Sequence, residues 1–377
     1  MAMAQMWYLE PSVSLRGFYD DNPRLTTRDA SETFGVVARV QAQAGRQTEV
    51  SDIGLRGYLS YQQYSDDQDL DALDGNFDIT SSYRLQRQRL GLGLGFDQSS
   101  TQTSEEQTSG IVQVNKQRTL MRVSPSWGYS ISERTTFDLG VNYTSVSYED
   151  VEQVPLFDYV STAASGTLSH QWTERLSLIG RLSYDGYDAD TVGSDSTAYG
   201  FEAGLNYLIS ETWSVRALAG LRTADAQTLT QNGVIETQSS GPLFDLELRR
   251  DLIVGGFTIG AERSLLPSGT GTLLDTTGLR LSYDRPITPV WTFGASARIY
   301  RNRNPGGEVS GNDRDFISIE PSLRRRLSDS LSLDISYRYR QQSRDIEDET
   351  ADSNAIFVGL SYGWPREPLS RWLDFGG

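Results

Sequence analysis

The sequence predicts an all-β protein: a transmembrane antiparallel up-and-down β-barrel of about 18 strands, with short periplasmic turns and longer extracellular loops. Three observations predict it. Apolar and polar residues alternate with period two through almost all of the 377 residues. The connections alternate between short and long. Hydrophobic residues make up only 37%, little for a soluble chain with a large core to fill. No stretch approaches the about 18 consecutive apolar residues of a membrane helix.

The alternation is explicit in each segment. Ile53, Leu55, Gly57, Leu59 and Tyr61 alternate with Gly54, Arg56, Tyr58, Ser60 and Gln62. Phe77, Ile79, Ser81, Tyr83 and Leu85 alternate with polar partners, as do Leu90, Leu92, Leu94 and Phe96. The same pattern runs through Phe137–Tyr143, Leu178–Tyr184, Trp291–Ile299 and Leu331–Tyr339. These strands are about 10 to 14 residues long, against a mean of about 5–6 in soluble sheets. Long strands with one apolar face suit a wall with lipid on one side and water on the other.

Short connections are read at 44–47, 87–88, 132–134, 173–175, 210–212 and 328–330. Long polar ones are read at 21–31, 65–75, 101–110, 149–156, 188–196, 225–237, 267–275, 303–314 and 343–353. Nine long loops imply about 18 strands, with both termini on the short-turn side. Trp7, Trp127, Trp172, Trp213, Trp291, Trp364 and Trp372 all fall near that side, as one interfacial aromatic girdle would. The hairpin around Pro125-Ser126 parallels the one around Pro321-Ser322, a weak internal repeat. Residues 7–364 are read as a single barrel, 1–6 as a signal-peptide remnant and 365–377 as a short periplasmic tail. Ala2-Met3-Ala4 has the small-x-small form of a cleavage site. The expectation is an exported protein of the bacterial outer membrane.

Composition excludes several functions. There is no Cys and one His, so neither thiol chemistry, a Cys-ligated zinc site nor a multi-His metal site is available. The net charge of -16 argues against nucleic acid as a partner. No cofactor, no metal and no catalytic residue are expected.

Trp7-x-x-x-Pro11-Ser12-Val13-Ser14-Leu15, followed by Tyr19-Asp20-Asp21-Asn22, resembles the opening strand of outer-membrane β-barrel proteins associated with exopolysaccharide export systems. Tyr337–Ser343, Asp352–Ile356 and Leu360-Ser361-Tyr362 resemble the closing hairpin of the same group. The resemblance covers the two ends of the chain. It implies a pore that passes or helps secrete a polysaccharide, with a periplasmic export protein as partner and no catalytic residues. Gly359-x-x-Tyr362-x-Trp364 resembles the last-strand signal read by the barrel-assembly machinery, which places the barrel end at Trp364. Outer-membrane lipid and lipopolysaccharide are the remaining partners.

The candidate site is the lumen. Arg16, Arg39, Arg56, Arg84, Arg118, Arg122, Arg181, Arg280, Arg298, Arg324, Arg338 and Arg340 fall at inward positions, as do Asp78, Asp138, Glu202, Asp245, Glu247, Glu262, Glu320 and Asp334. Lys116 is the only lysine, so nearly every cation is a guanidinium, which binds carboxylate bidentately. Two readings stand: the arginines satisfy lumen acids across the wall, or the surplus guides anions. Three other features are weaker. Asp66, Asp67, Asp69, Asp71 and Asp74, and again Asp345, Glu347, Asp348, Glu349 and Asp352, crowd two loops. Their spacing does not fit a twelve-residue calcium loop, and a solvated loop is the plain reading. His170 lies close to a short turn with no Ser-centred motif, so it reads as an interfacial or lumen histidine. Gly91-x-Gly93-x-Gly95 lies inside a strand and is no dinucleotide motif.

The leading functional expectation is an outer-membrane channel exporting an anionic exopolysaccharide. The alternatives are a general or substrate-selective diffusion porin for small solutes, and a non-conducting structural or binding barrel.

Overall fold

The computed structural model describes residues 7–106, 108–110, 112–230, 233–305, 313–344 and 349–368. It is a closed antiparallel barrel of eighteen strands in chain order, each paired with its sequence neighbours, with β1 closing on β18. The strands are β1 Tyr8–Asp20, β2 Thr33–Gln47, β3 Ser51–Tyr64, β4 Ala72–Arg84, β5 Gln88–Ser100, β6 Gln117–Ser130, β7 Thr135–Tyr148, β8 Tyr159–Gln171, β9 Leu176–Ala189, β10 Ser194–Leu208, β11 Trp213–Thr230, β12 Gly233–Asp251, β13 Gly256–Pro267, β14 Leu273–Pro286, β15 Trp291–Arg303, β16 Arg314–Arg326, β17 Leu331–Arg344 and β18 Glu349–Gly363. A single helical turn, α1 Thr101–Ser104, follows β5. A two-residue β19, Glu367–Pro368, pairs with Tyr8 and Leu9.

Closure gives each strand a neighbour on both sides over most of its length, so most backbone N–H and C=O groups are satisfied between strands without water. Alternation then decides which residues face where. In one register row Leu15, Ala38, Tyr61 and Leu73 are neighbours, and three of these are large exposed apolar side chains. One residue along, Ser14, Arg39, Ser60 and Asp74 form the inward row. The barrel is therefore inverted relative to a soluble protein: its apolar side chains stand outward and its polar ones line the bore.

Strand count and closure match the sequence reading, but several boundaries shift. The loop read at 188–196 shrinks to 190–193, because β9 runs to Ala189 and β10 starts at Ser194. The loop read at 225–237 is the end of a long hairpin, β11 and β12 being 18 and 19 residues long. The loop read at 65–75 ends at 71, and β2 runs on through the turn read at 44–47. In each case polar residues at a strand end read as loop, although ladder pairing satisfies them just as well. Two tight turns, 252–255 and 287–290, join β12 to β13 and β14 to β15. Glu367–Pro368, read as free tail, rejoins the sheet. Residues 1–6, Trp372 and the rest of 369–377 lie outside the described residues.

The parallel between the Pro125 and Pro321 hairpins has a physical counterpart. The β6–β7 register is interrupted between Val123 and Ser126, and the β16–β17 register between Ile319 and Ser322. Proline has no N–H to give to the ladder.

Candidate functional site in the lumen

All twelve inward arginines fall on inward positions of their strands, but they divide into two sets. Six meet carboxylates. Arg181 Nη1 lies 3.3 Å from Glu202 Oε2, and Arg280 lies 3.5 Å from Glu247 and 3.1 Å from Glu262. Arg324 Nε is 2.5 Å from Asp334, and Arg118 Nε is 3.6 Å from Glu105. Arg338 and Arg340 share Asp20 at 3.3 and 3.1 Å, and Arg340 also reaches Glu106 at 3.3 Å.

The other six, Arg16, Arg39, Arg56, Arg84, Arg122 and Arg298, have no carboxylate within 4 Å among the described residues. Five of them lie on β1–β6. Arg39 stacks 3.7 Å over the Tyr58 ring, and Arg16 lies 4.8 Å over Phe357. Arg56 and Arg122 line a recess of about 490 Å³ whose floor includes Gly54, Gly93 and Gly95. The glycines of the Gly91-x-Gly93-x-Gly95 run face inward, opposite the outward Leu90, Leu92 and Leu94. A Cβ at Gly95 would come within 3.0 Å of Asp78 Oδ1, so the bare backbone leaves room for the charged groups beside it. Asp74, Asp78 and Asp97 line the same wall. Asp74 accepts from the Ser100 N–H at 2.8 Å and Asp97 from the Ser99 hydroxyl at 2.7 Å.

The bore is narrowed from the long-loop end. The segment 101–116 leaves β5 and reaches the far wall, six to eight strands away around the ring. Its near end is held by Glu105, 1% exposed, which accepts from the Tyr148, Thr108 and Ser109 hydroxyls, each at 2.6 Å. Its far end is held by β15–β17. Asn302 Nδ2 donates to the Thr108 carbonyl at 3.0 Å and Arg344 Nη2 to the Gly110 carbonyl at 3.0 Å, while Tyr300 and Arg314 donate to the Glu106 carbonyl. Val112 packs with Leu25, Tyr300, Phe316 and Ala351. A second cluster joins Leu156, from the 149–158 loop, to Tyr148, Tyr159, Tyr187 and Leu273. These loops fold inward, and they act jointly.

Periodicity did not single out Glu105, Glu106, Tyr300, Arg314, Arg222 or Asp275. A signal was present: Leu25, Val112, Val151, Val154 and Leu156 are apolar residues inside polar loops, and a fully solvated loop has no use for them.

The described tryptophans sit at the short-turn ends of their strands. Trp127 is near the end of β6, Trp213 and Trp291 open β11 and β15, Trp7 precedes β1, and Trp172 and Trp364 follow β8 and β18. All six stand on the outward alternation. His170 is also outward, with Nδ1 2.9 Å from the Thr135 hydroxyl and its ring edge-on to Trp172. The first acidic loop is not merely solvated. Asp67 pairs with Arg24 at 2.6 Å, and Asp71 accepts from the Tyr64 N–H at 2.8 Å. In the other acidic loop Glu349 pairs with Arg28 at 2.5 Å, while Asp345, Glu347 and Asp348 lie outside the described residues. Among the described residues no group of three or more His, Asp or Glu is placed to hold a metal ion.

No family model matches the chain, and no curated protein matches it. Solved structures do resemble it in shape. The crystal structure of Pseudomonas aeruginosa OccK5 (OpdH) matches with a TM-score of 0.46 at 14% identity, over 95% of this chain and 98% of that one. Acinetobacter baumannii OccAB2 matches with a TM-score of 0.46 at 14% identity, over 94% and 98%. The FrpB iron transporter from Neisseria meningitidis matches with a TM-score of 0.48 at 8% identity, over 96% and 82%.

Proposed function

We propose that this chain is an outer-membrane diffusion channel for small solutes with a preference for anions. The observation that carries the reading is the division of the lumen arginines. A wall of unpaired guanidinium groups on β1–β6 raises the local concentration of carboxylates without holding any one of them tightly, as conduction requires. The ring of eighteen strands, apolar outside and polar inside, supports the membrane setting and the aqueous bore. The outward tryptophans at the short-turn ends support a girdle at the periplasmic interface, and Trp364 with Tyr362 supports a last-strand signal for the barrel-assembly machinery. Nothing in this reading asks for catalysis or a cofactor. The loops are then the surface that faces lipopolysaccharide and solutes.

Small solutes are favoured over a polymer by segment 101–116. Export of an anionic exopolysaccharide, fed by a periplasmic export protein, is the second reading. It rests on the resemblance of the chain ends, and a threading chain would need that segment to leave the bore. Planar-bilayer recording separates the readings. The diffusion channel predicts steady, anion-preferring conductance reduced by small carboxylates. Conductance indifferent to small acids but blocked by acidic oligosaccharide would favour the polymer. Absence of conductance from correctly folded protein would leave a structural barrel and overturn both.

A further inference from the structure

Among the described residues, β12 and β13 part well before either strand ends. β12 and β13 pair from Asp251↔Gly256 up to Phe244↔Arg263 and no further. Yet β12 runs on to Gly233 and β13 to Pro267, each still paired with its other neighbour. The break falls where Gly241-Pro242 stands in β12, and proline cannot donate to a partner.

Above the break the β13–β14 hairpin folds into the bore. Alternation makes this visible. Leu279 and Leu281 face outward, so Leu273 and Asp275 on the same strand belong to the outer face, as do Arg263 and Leu265 on β13. Leu221 faces outward, so Arg222 belongs to the inner face. Nevertheless Arg222 Nη2 meets Asp275 Oδ2 at 2.5 Å, and Arg263 Nη2 meets the same oxygen at 2.8 Å. Leu265 and Leu273 pack on the inward residues Leu120, Val146 and Tyr187. At the tip, the Tyr187 hydroxyl donates to the Ser268 carbonyl at 2.7 Å and the Phe157 N–H to the Gly269 carbonyl at 2.7 Å. The outer face of the hairpin thus lies against the inner face of β6–β11. Two features mark the tucked position as incompletely satisfied. Arg222 is 4% exposed, and among the described residues its Nε and Nη1 have no acceptor. The edge of β12 from Gly233 to Leu243 has no neighbour on the β13 side.

We propose that the β13–β14 tip, residues 264–275, is a gate with two seats: tucked into the bore and latched by Arg222–Asp275–Arg263, or swung outward with β13 zipped further along the free edge of β12. Continuing the β12–β13 register places Leu243 opposite Ser264 and Gly241 opposite Leu266. The swing exchanges the buried latch for ladder hydrogen bonds and widens the bore. The widening rests on the channel reading; the two seats do not.

The chain has no Cys, so introduced thiols report cleanly. The full-length double variant Gly241→Cys/Leu266→Cys is oxidised in membranes beside a control, Leu246→Cys/Ala261→Cys, whose positions are already register partners. The expected result is a cross-link in both, faster for the 241/266 pair when Asp275→Asn removes the latch, with single-channel conductance rising on oxidation of that pair only. A control that links while the 241/266 pair never does, with or without Asp275→Asn, overturns the gate. A 241/266 link that leaves conductance unchanged keeps the two seats but removes their role in permeation. Retained heat-modifiable migration on gels verifies that the variants remain folded barrels.

Discussion

Two arcs of the same wall solve the problem of charge in a bore differently. On β7–β14 each inward arginine has a carboxylate: Arg181 with Glu202, Arg216 with Asp245, Arg222 with Asp275, Arg249 with Asp251 and Arg280 with Glu247 and Glu262. On β1–β6 Arg89 and Arg118 meet carboxylates, while Arg16, Arg39, Arg56, Arg84 and Arg122 have none within 4 Å among the described residues. The contrast teaches that one residue type does two jobs. A paired guanidinium holds strands together and cancels its own field, whereas an unpaired one projects its field into the water. Glu202 has only 9% of its side chain exposed, so charge there needs a partner, while Arg56 and Arg122 look onto a wet recess.

Five variants sharpen or break this contrast, in falling order of expected effect. Arg181→Ser strips the partner from Glu202 and lowers barrel stability by about 3 kcal/mol, measured by urea-dependent loss of the folded gel band. A loss under about 0.5 kcal/mol would mean that the paired arc is not structural. Arg56→Ser with Arg122→Ser leaves stability nearly unchanged but reduces anion-over-cation permeability by about tenfold at low salt. Raising salt to about 1 M, where the Debye length falls to about 3 Å, should erase most of that difference. Unchanged reversal potentials would sink the idea of a guiding wall. Arg298→Ser, at the unpaired inward arginine of β15, shifts selectivity in the same direction by about twofold, since one of six unpaired charges is removed. Arg338→Ser serves as its contrast, disturbing the shared Asp20 instead, and equal effects on selectivity would erase the distinction between the sets. Last, Arg89→Ser breaks an exposed pair with Asp138 at 3.4 Å and costs under about 1 kcal/mol by the same urea assay.

The architecture was legible because its determinants are local and repeated. Leu55, Leu59 and Tyr61 announce an outward face by spacing alone, and nine long loops count the strands. The inward arginines were legible for the same reason, since parity fixes the face. Their partners were not. Whether Arg181 meets Glu202 while Arg56 stays apart from the directly opposed Asp78 depends on side-chain direction, which alternation does not encode. The segment across the bore was illegible for a different reason. Thr108 finds Asn302, and Glu106 finds Arg340, only once distant strands have been curved into a ring. The tucked hairpin escaped because Gly241-Pro242 reads as an ordinary weak strand until the missing β13 neighbour is seen.

The bridge across the bore also sets an order of assembly. Most strand contacts join neighbours in sequence and form as hairpins. The Asn302–Thr108 contact spans 194 residues and the Arg340–Glu106 contact spans 234. While the sheet is open, the wall that receives Glu106 is not opposite anything, so the entropy of closing those loops has no return. Pairing of β1 with β18 must come first. The newly closed barrel therefore passes through a moment with a wider bore, and its narrowing is the last event of its folding.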